Sequence, residues 1–172
     1  MRLIGCILIL IGAAGAGIYA SAQLEKRKRQ LSSLRRTVLL IEREIDYQLS
    51  PLSETMILAA EKADKPWDVL FRSFSRVLME KNSPRAEIDV FMKQEIKKME
   101  GYHPWKKDLE ILMNLVKGLG QLDKTMQLAQ LKMAEAEILQ AEEEALEEYK
   151  KKSQLYRTLG LCMGVLGVII LI

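Results

Sequence analysis

This 172-residue chain has few side chains able to do chemistry at neutral pH: one histidine, His103, and two cysteines, Cys6 and Cys162. His103 stands before Pro104, where a helix can start, and reads as a cap or turn residue rather than a catalytic base. With no second histidine, a nucleophile–base–orienter triad has no base to use, and no histidine pair can hold zinc. The densest carboxylates are Glu142, Glu143, Glu144, Glu147 and Glu148. Acid–base work needs a pocket that pushes two pKa values apart. Consecutive carboxylates followed by Lys150, Lys151 and Lys152 predict a solvated helical face instead, with a binding edge for a basic partner as the alternative. No glycine-rich loop leads into Gly-Lys-Ser/Thr. The nine methionines read as core filler. No enzyme active site, metal or cofactor is expected.

The elements that carry these residues follow from the segregation of charge and apolarity. Mean hydropathy is near zero although 49% of residues are hydrophobic, so apolar and charged stretches must be separate. Leu3 to Ala22 holds no charge, and about 20 residues at ~1.5 Å each match a bilayer core of roughly 30 Å. The run from Thr158 to Ile172 is shorter, about 22 Å. Lys26, Arg27, Lys28 and Arg29 follow the first run, and Lys150, Lys151, Lys152 and Arg157 precede the second. These clusters sit beside apolar runs, a membrane pattern rather than a nucleic-acid one. The positive-inside rule places residues 23–157 in the cytoplasm and both termini outside. Cleavage after Ala20-Ser21-Ala22 is disfavoured by the strongly basic stretch beyond it. A lipoprotein reading of Leu3-Ile4-Gly5-Cys6 lacks a preceding apolar stretch. On this topology Cys6 and Cys162 lie near opposite membrane surfaces and cannot pair within one chain.

Only four prolines, with many Leu, Glu, Lys, Ala and Met, predict helix throughout. Leu31, Leu34, Val38, Ile41 and Ile45 recur at three and four residues, one stripe of a helix reaching about Leu49. Ser50-Pro51 starts a second helix with Leu52, Met56, Ala59 and Ala60 on one face. Asp64 and Pro66 open a third, with Trp67, Leu70, Phe71, Phe74 and Leu78 inward. Ser83-Pro84 opens a fourth carrying Ile88, Phe91, Met92, Glu95 and Met99, ending at Gly101. Pro104 opens a fifth with Trp105, Leu109, Leu112, Leu115 and Val116, ended by Gly118 and Gly120. The last helix starts near Gln121 and carries Leu122, Met126, Ala129, Met133 and Ala136 on one edge. Leu128, Leu131, Ile138, Ala145 and Tyr149 widen its apolar zone. The expected fold is all-α, an antiparallel six-helix bundle with N- and C-terminal transmembrane helices: 1–22 in the membrane, 23–157 as the bundle, 158–172 in the membrane. Small residues four apart, Gly12 with Ala16, Ala13 with Gly17, and Gly160 with Gly164, read equally as a close helix crossing or as ordinary membrane-helix composition.

The order of Arg29-Gln30-Leu31-Ser32-Ser33-Leu34, then Glu42, Glu44-Ile45-Asp46-Tyr47 and Ser50-Pro51-Leu52, resembles the first half of the stage III sporulation protein AB family. Leu115, Gly118-Leu119-Gly120, Asp123, Gln127 and Leu131 are similar to its turn-and-helix pattern. Tyr156-Arg157-Thr158-Leu159-Gly160-Leu161 before an apolar tail is similar to its ending. Leu122 departs from the small polar residue expected before the aspartate. The family in turn resembles cytoplasmic domains of type II secretion and type IV pilus inner-membrane platform proteins. The resemblance implies a non-enzymatic platform of the channel complex joining mother cell and forespore, needed after engulfment. It implies a place in the mother-cell membrane, other stage III sporulation membrane proteins as partners, and a secretion-type ATPase on the cytoplasmic side. A homo-oligomer stays open, and nucleic acid is not expected.

A membrane sensor signalling through a helical bundle is the alternative function. Under the platform reading, the turns far from the membrane are the expected docking surface: Ser50-Pro51, Ser83-Pro84 and the turn around Lys117, Gly118, Gly120 and Asp123.

Overall fold

The computed structural model describes residues 2–47, 51–79, 90–91, 93–95, 106–119 and 123–171. Every regular element among them is a helix: α1 (Arg2–Tyr47), α2 (Leu52–Lys62), α3 (Trp67–Met79), α4 (Lys106–Leu119) and α5 (Lys124–Leu171). Residues 90–91 and 93–95 are also helical, where the sequence places its fourth helix. The rest of that expected helix, with Ser83-Pro84, Ile88, Met92, Met99 and Gly101, lies outside the described residues, as do Ser50, His103, Pro104, Trp105 and Leu122.

Two compact units divide the chain. One comprises Met1–Arg29 with Glu142–Ile172, the other Gln30–Ala141. Within the second, the stripe Leu31, Leu34, Val38, Ile41 and Ile45 is buried as its spacing requires. It shares the core with Met56, Ala59 and Ala60 of α2, Trp67, Leu70, Phe71 and Phe74 of α3, and Leu112, Leu115, Val116 and Leu119 of α4. Trp67 is fully buried, and its indole N–H donates to the Gln30 carbonyl at 2.7 Å, which satisfies the one polar atom of a large apolar ring. Helices α2 and α3 form a hairpin. Ser75 near the end of α3 donates to the Ser53 carbonyl near the start of α2 at 2.8 Å, so the two run antiparallel. Their connection, with a cis Lys65–Pro66 peptide, is tied to α1 where the Asp64 N–H donates to the Ser33 hydroxyl at 3.0 Å.

Four details differ from the sequence reading. In α5 the edge Met126, Ala129, Met133 and Ala136 faces outward, with Met133 63% exposed. The buried row is Leu131, Ala134, Ile138, Ala141 and Ala145. Both rows have three-and-four spacing, and the row with the branched side chains fills the interior. In α3, Val77 is buried and Leu78 only half-buried. Gly118 lies inside α4 rather than ending it. Pro51 is the N-cap of α2 rather than its first residue, with no side-chain cap; the N–H groups of Glu54 and Thr55 donate to its carbonyl at 3.0 and 3.1 Å.

Candidate functional site

The turn between α4 and α5 holds the residues expected to meet a partner. Asp123 is exposed, but its carboxylate accepts the Met126 N–H at 2.8 Å. It is therefore the N-cap of α5, satisfying one of the donors a helix start leaves open. Lys124 donates to the Asp46 carbonyl at 2.5 Å and lies 3.5 Å from the Asp46 carboxylate. It thus places a cation at the negative end of α1. Gln127 donates to the Leu119 carbonyl at 2.9 Å, closing the end of α4. Gly118 is buried, and a Cβ there would come within 2.6 Å of the Gln130 side chain. Two of the four expected partner-binding residues, Gly118 and Asp123, thus build the corner. The Lys117 side chain and Gly120 lie outside the described residues.

In the unit of Met1–Arg29 and Glu142–Ile172, α1 and α5 pair antiparallel through small and polar groups. A Cβ on Gly17 would run into the Tyr156 carbonyl oxygen, and one on Gly160 would lie 2.7 Å from the Ala13 carbonyl oxygen and 3.2 Å from the Gly17 Cα. Ala13, Gly17 and Gly160 therefore form a backbone-to-backbone crossing. Gly12 has open space around its Cβ position and takes no part. One turn along, the buried hydroxyls of Ser21 and Ser153 bond at 2.7 Å. Beyond them Arg27, 6% exposed, reaches Glu148 at 3.0 Å. Leu24, Arg27, Leu31, Leu34, Val38, Ile41 and Ile45 alternate steps of three and four residues, so Arg27 occupies a position of the buried seam.

The ion pairs here extend outward. Lys152 donates to Glu148 at 2.8 Å and Lys151 to Glu147 at 2.7 Å, and Arg29 pairs with Glu25. The Lys152 hydrogen bond holds the Glu148 carboxyl below its ordinary value, with the Arg27 charge adding to this and partial burial opposing it. The Lys151 bond lowers Glu147 in the same way, and the Glu148 bond raises Lys152. Lys26, Arg29, Lys150, Lys151 and Lys152 are exposed and Lys28 is half-buried. The Arg157 side chain lies outside the described residues.

From the Ser21–Ser153 bond toward the chain ends the exposed surface changes character. Leu8, Ile11, Ile18 and Tyr19 of α1 are exposed, as are Leu155, Tyr156, Leu159, Met163, Val165, Leu166 and Ile169 of α5. A water-facing helix would carry polar groups over this arc. Among the described residues no helix is long and apolar enough to cross a membrane. The side chains of Leu3, Ile4, Cys6, Ile7, Ile9 and Leu10, within the first expected span, lie outside them. Among the described residues no group of histidine, cysteine or carboxylate side chains could hold a metal ion, and Cys162 is an exposed free thiol.

The family model for stage III sporulation protein AB matches residues 2–172. The chain is 27% identical to the stage III sporulation protein AB of Bacillus subtilis (strain 168) over 172 residues, 99% of each chain. A solved structure of a stage III sporulation protein AB superposes with a TM-score of 0.61 at 24% identity, covering 72% of this chain and 96% of that one. That likeness concerns the fold.

Proposed function

Because this chain belongs to the stage III sporulation protein AB family, and is thereby a sporulation protein, we propose that it is a non-enzymatic, membrane-anchored assembly platform. On this reading the ends of α1 and α5 lie in the mother-cell membrane, and the unit of Gln30–Ala141 is the cytoplasmic docking body. It serves the channel complex between mother cell and forespore, beside other stage III membrane proteins and a secretion-type ATPase. The observation that carries the proposal is the outward-facing apolar arc on both helices of the terminal unit, from Tyr19 and Tyr156 toward the chain ends. Exposed Leu, Ile and Val on a paired helix need an apolar solvent. Basic residues border that arc on each helix, which favours the cytoplasmic side for the central segment.

A cell expressing a single-cysteine variant tests the topology. With Cys6 and Cys162 replaced by serine and Glu61→Cys introduced on the exposed face of α2, an impermeant thiol reagent should label only opened cells. Labelling of intact cells overturns the anchored, inward-facing reading. The partner arm uses Lys117→Glu, which should reduce co-purification of the ATPase and stall sporulation after engulfment. Unchanged co-purification with wild-type sporulation argues against docking at this corner, and a block before engulfment puts the protein in another machine.

A further inference from the structure

The terminal unit fixes the heights of residues on its two helices against each other. Gly17 meets Tyr156 and Gly160, and Ser21 meets Ser153. Tyr19, between the first pair of contacts on α1, therefore stands level with Tyr156 on α5. Both rings are exposed. Among the described residues, the exposed large side chains toward the chain ends from this level are apolar. In the other direction come Lys26 and Arg29 on α1, and Lys150 and Lys151 on α5, all exposed. Lys26 is seven residues from Tyr19 and Lys150 six from Tyr156, about 10 Å along each axis. The headgroup layer on one side of a bilayer is roughly 5–8 Å thick, and a lysine stem can reach down toward it. Between residues 25–29 and 147–152 there are seven basic residues and three glutamates, a net excess of four positive charges that includes the pairs of Arg29 with Glu25, Lys151 with Glu147, and Arg27 and Lys152 with Glu148. Glu142, Glu143 and Glu144 sit six to eight residues from Lys150, about 9–12 Å along the axis, at the edge of a screening length of ~8–10 Å.

Resting on the membrane-anchored reading, we propose that the terminal unit gathers anionic phospholipid headgroups around itself at the level just above Tyr19 and Tyr156, with Lys26, Arg29, Lys150 and Lys151 as the binding cations. The tyrosines set the depth, since an amphipathic ring prefers the interface between hydrocarbon and headgroups. Lys26, Lys150 and Lys151 then lie within a side chain's reach of the phosphate groups, with Arg29 about one turn further out on α1, and an excess of positive charge there favours lipids that carry a net negative charge.

The test uses the full chain reconstituted from detergent into vesicles of phosphatidylcholine alone, or of phosphatidylcholine and phosphatidylglycerol in equal parts. Single Tyr19→Trp and Tyr156→Trp variants report depth and neighbours through quenching by brominated lipids, measured as the quenching gained over the parent chain. We expect both positions to report one interfacial depth, and phosphatidylglycerol to be enriched about threefold at each. Combined Lys26→Glu, Arg29→Glu, Lys150→Glu and Lys151→Glu should remove the enrichment while leaving depth and co-flotation unchanged. If that variant loses helicity, the same positions changed to Gln serve instead. Equal quenching by both lipids, enrichment that survives charge removal, or different depths at 19 and 156 overturns this inference alone. Failure of the parent chain to float with either vesicle overturns the anchored reading and this inference with it.

Discussion

Trp67 shows how much one side chain can matter. Among the described residues it is the largest fully buried side chain, and its indole N–H is bonded to the Gln30 carbonyl. Trp67→Ala should cost about 3–5 kcal/mol in chemical denaturation, as expected for loss of a buried aromatic. Trp67→Phe should cost less, about 1–2 kcal/mol, because most of the apolar volume stays and only one bond is lost. Arg27 poses the opposite problem, a charge in a buried seam position. Arg27→Met leaves Glu148 its Lys152 partner and should be close to neutral, since buried ion pairs are often replaceable by apolar groups. Glu148→Ala strips a partner from the more buried ion and should cost about 1–3 kcal/mol. The pH dependence follows from the same contacts. A carboxyl whose pKa is lowered on folding stabilises fully above its unfolded value and loses that contribution as pH falls through the folded one. Glu148 is lowered in part by the Arg27 charge of α1, so pairing of α1 with α5 in the terminal unit should weaken as pH falls into the acid range. Lys152 is raised by the same bond, so its contribution is present below the unfolded lysine value and fades as pH rises through the folded one. Helix content of Glu148→Gln followed from neutral to acid pH should show a smaller acid loss than the parent.

At the scale of elements, the predicted stripe of α1 is the part of the fold most directly readable from sequence. Leu31, Leu34, Val38, Ile41 and Ile45 are large, and only one face is rich in such residues. In α5 two rows have the same spacing, so periodicity alone does not choose between Met133 and Leu131. What decides is which row the other helices cover, and those lie far away in sequence. The corner between α4 and α5 was half-readable. Gly118 and Asp123 stand out in sequence, but their work is close packing and capping. Asp123→Ala should therefore lower stability by about 0.5–2 kcal/mol while Asp123→Asn should be nearly silent, a comparison that thermal melts can make. The four-residue spacings of small residues left two readings equally open, and the structure sorts them. Ala13, Gly17 and Gly160 lie in a crossing while Gly12 does not. Ser21→Cys with Ser153→Cys should cross-link under mild oxidation, because the native hydroxyls already touch. Adding Gly160→Leu should abolish that cross-link by forcing the backbones apart.

For the whole molecule, the division into two units predicts different solvent needs. A fragment of residues 24–154 keeps the buried rows of the described helices α1 to α5 from Leu24 onward and omits nearly all of the exposed apolar arc. It should be monomeric or oligomeric but strongly helical by circular dichroism without detergent, whereas the full chain should need detergent or lipid. A disordered fragment would show that the core depends on the removed ends. The bond between Ser21 and Ser153 joins residues 132 positions apart, which sets a constraint on biogenesis. At a synthesis rate of about 5–20 residues per second, the first helix emerges on the order of ten seconds before its partner exists. Until the ribosome has nearly finished, the Gly17 surface, Ser21 and Arg27 must wait without their mates. A stalled or truncated translation product thus carries a first helix that cannot close on its partner.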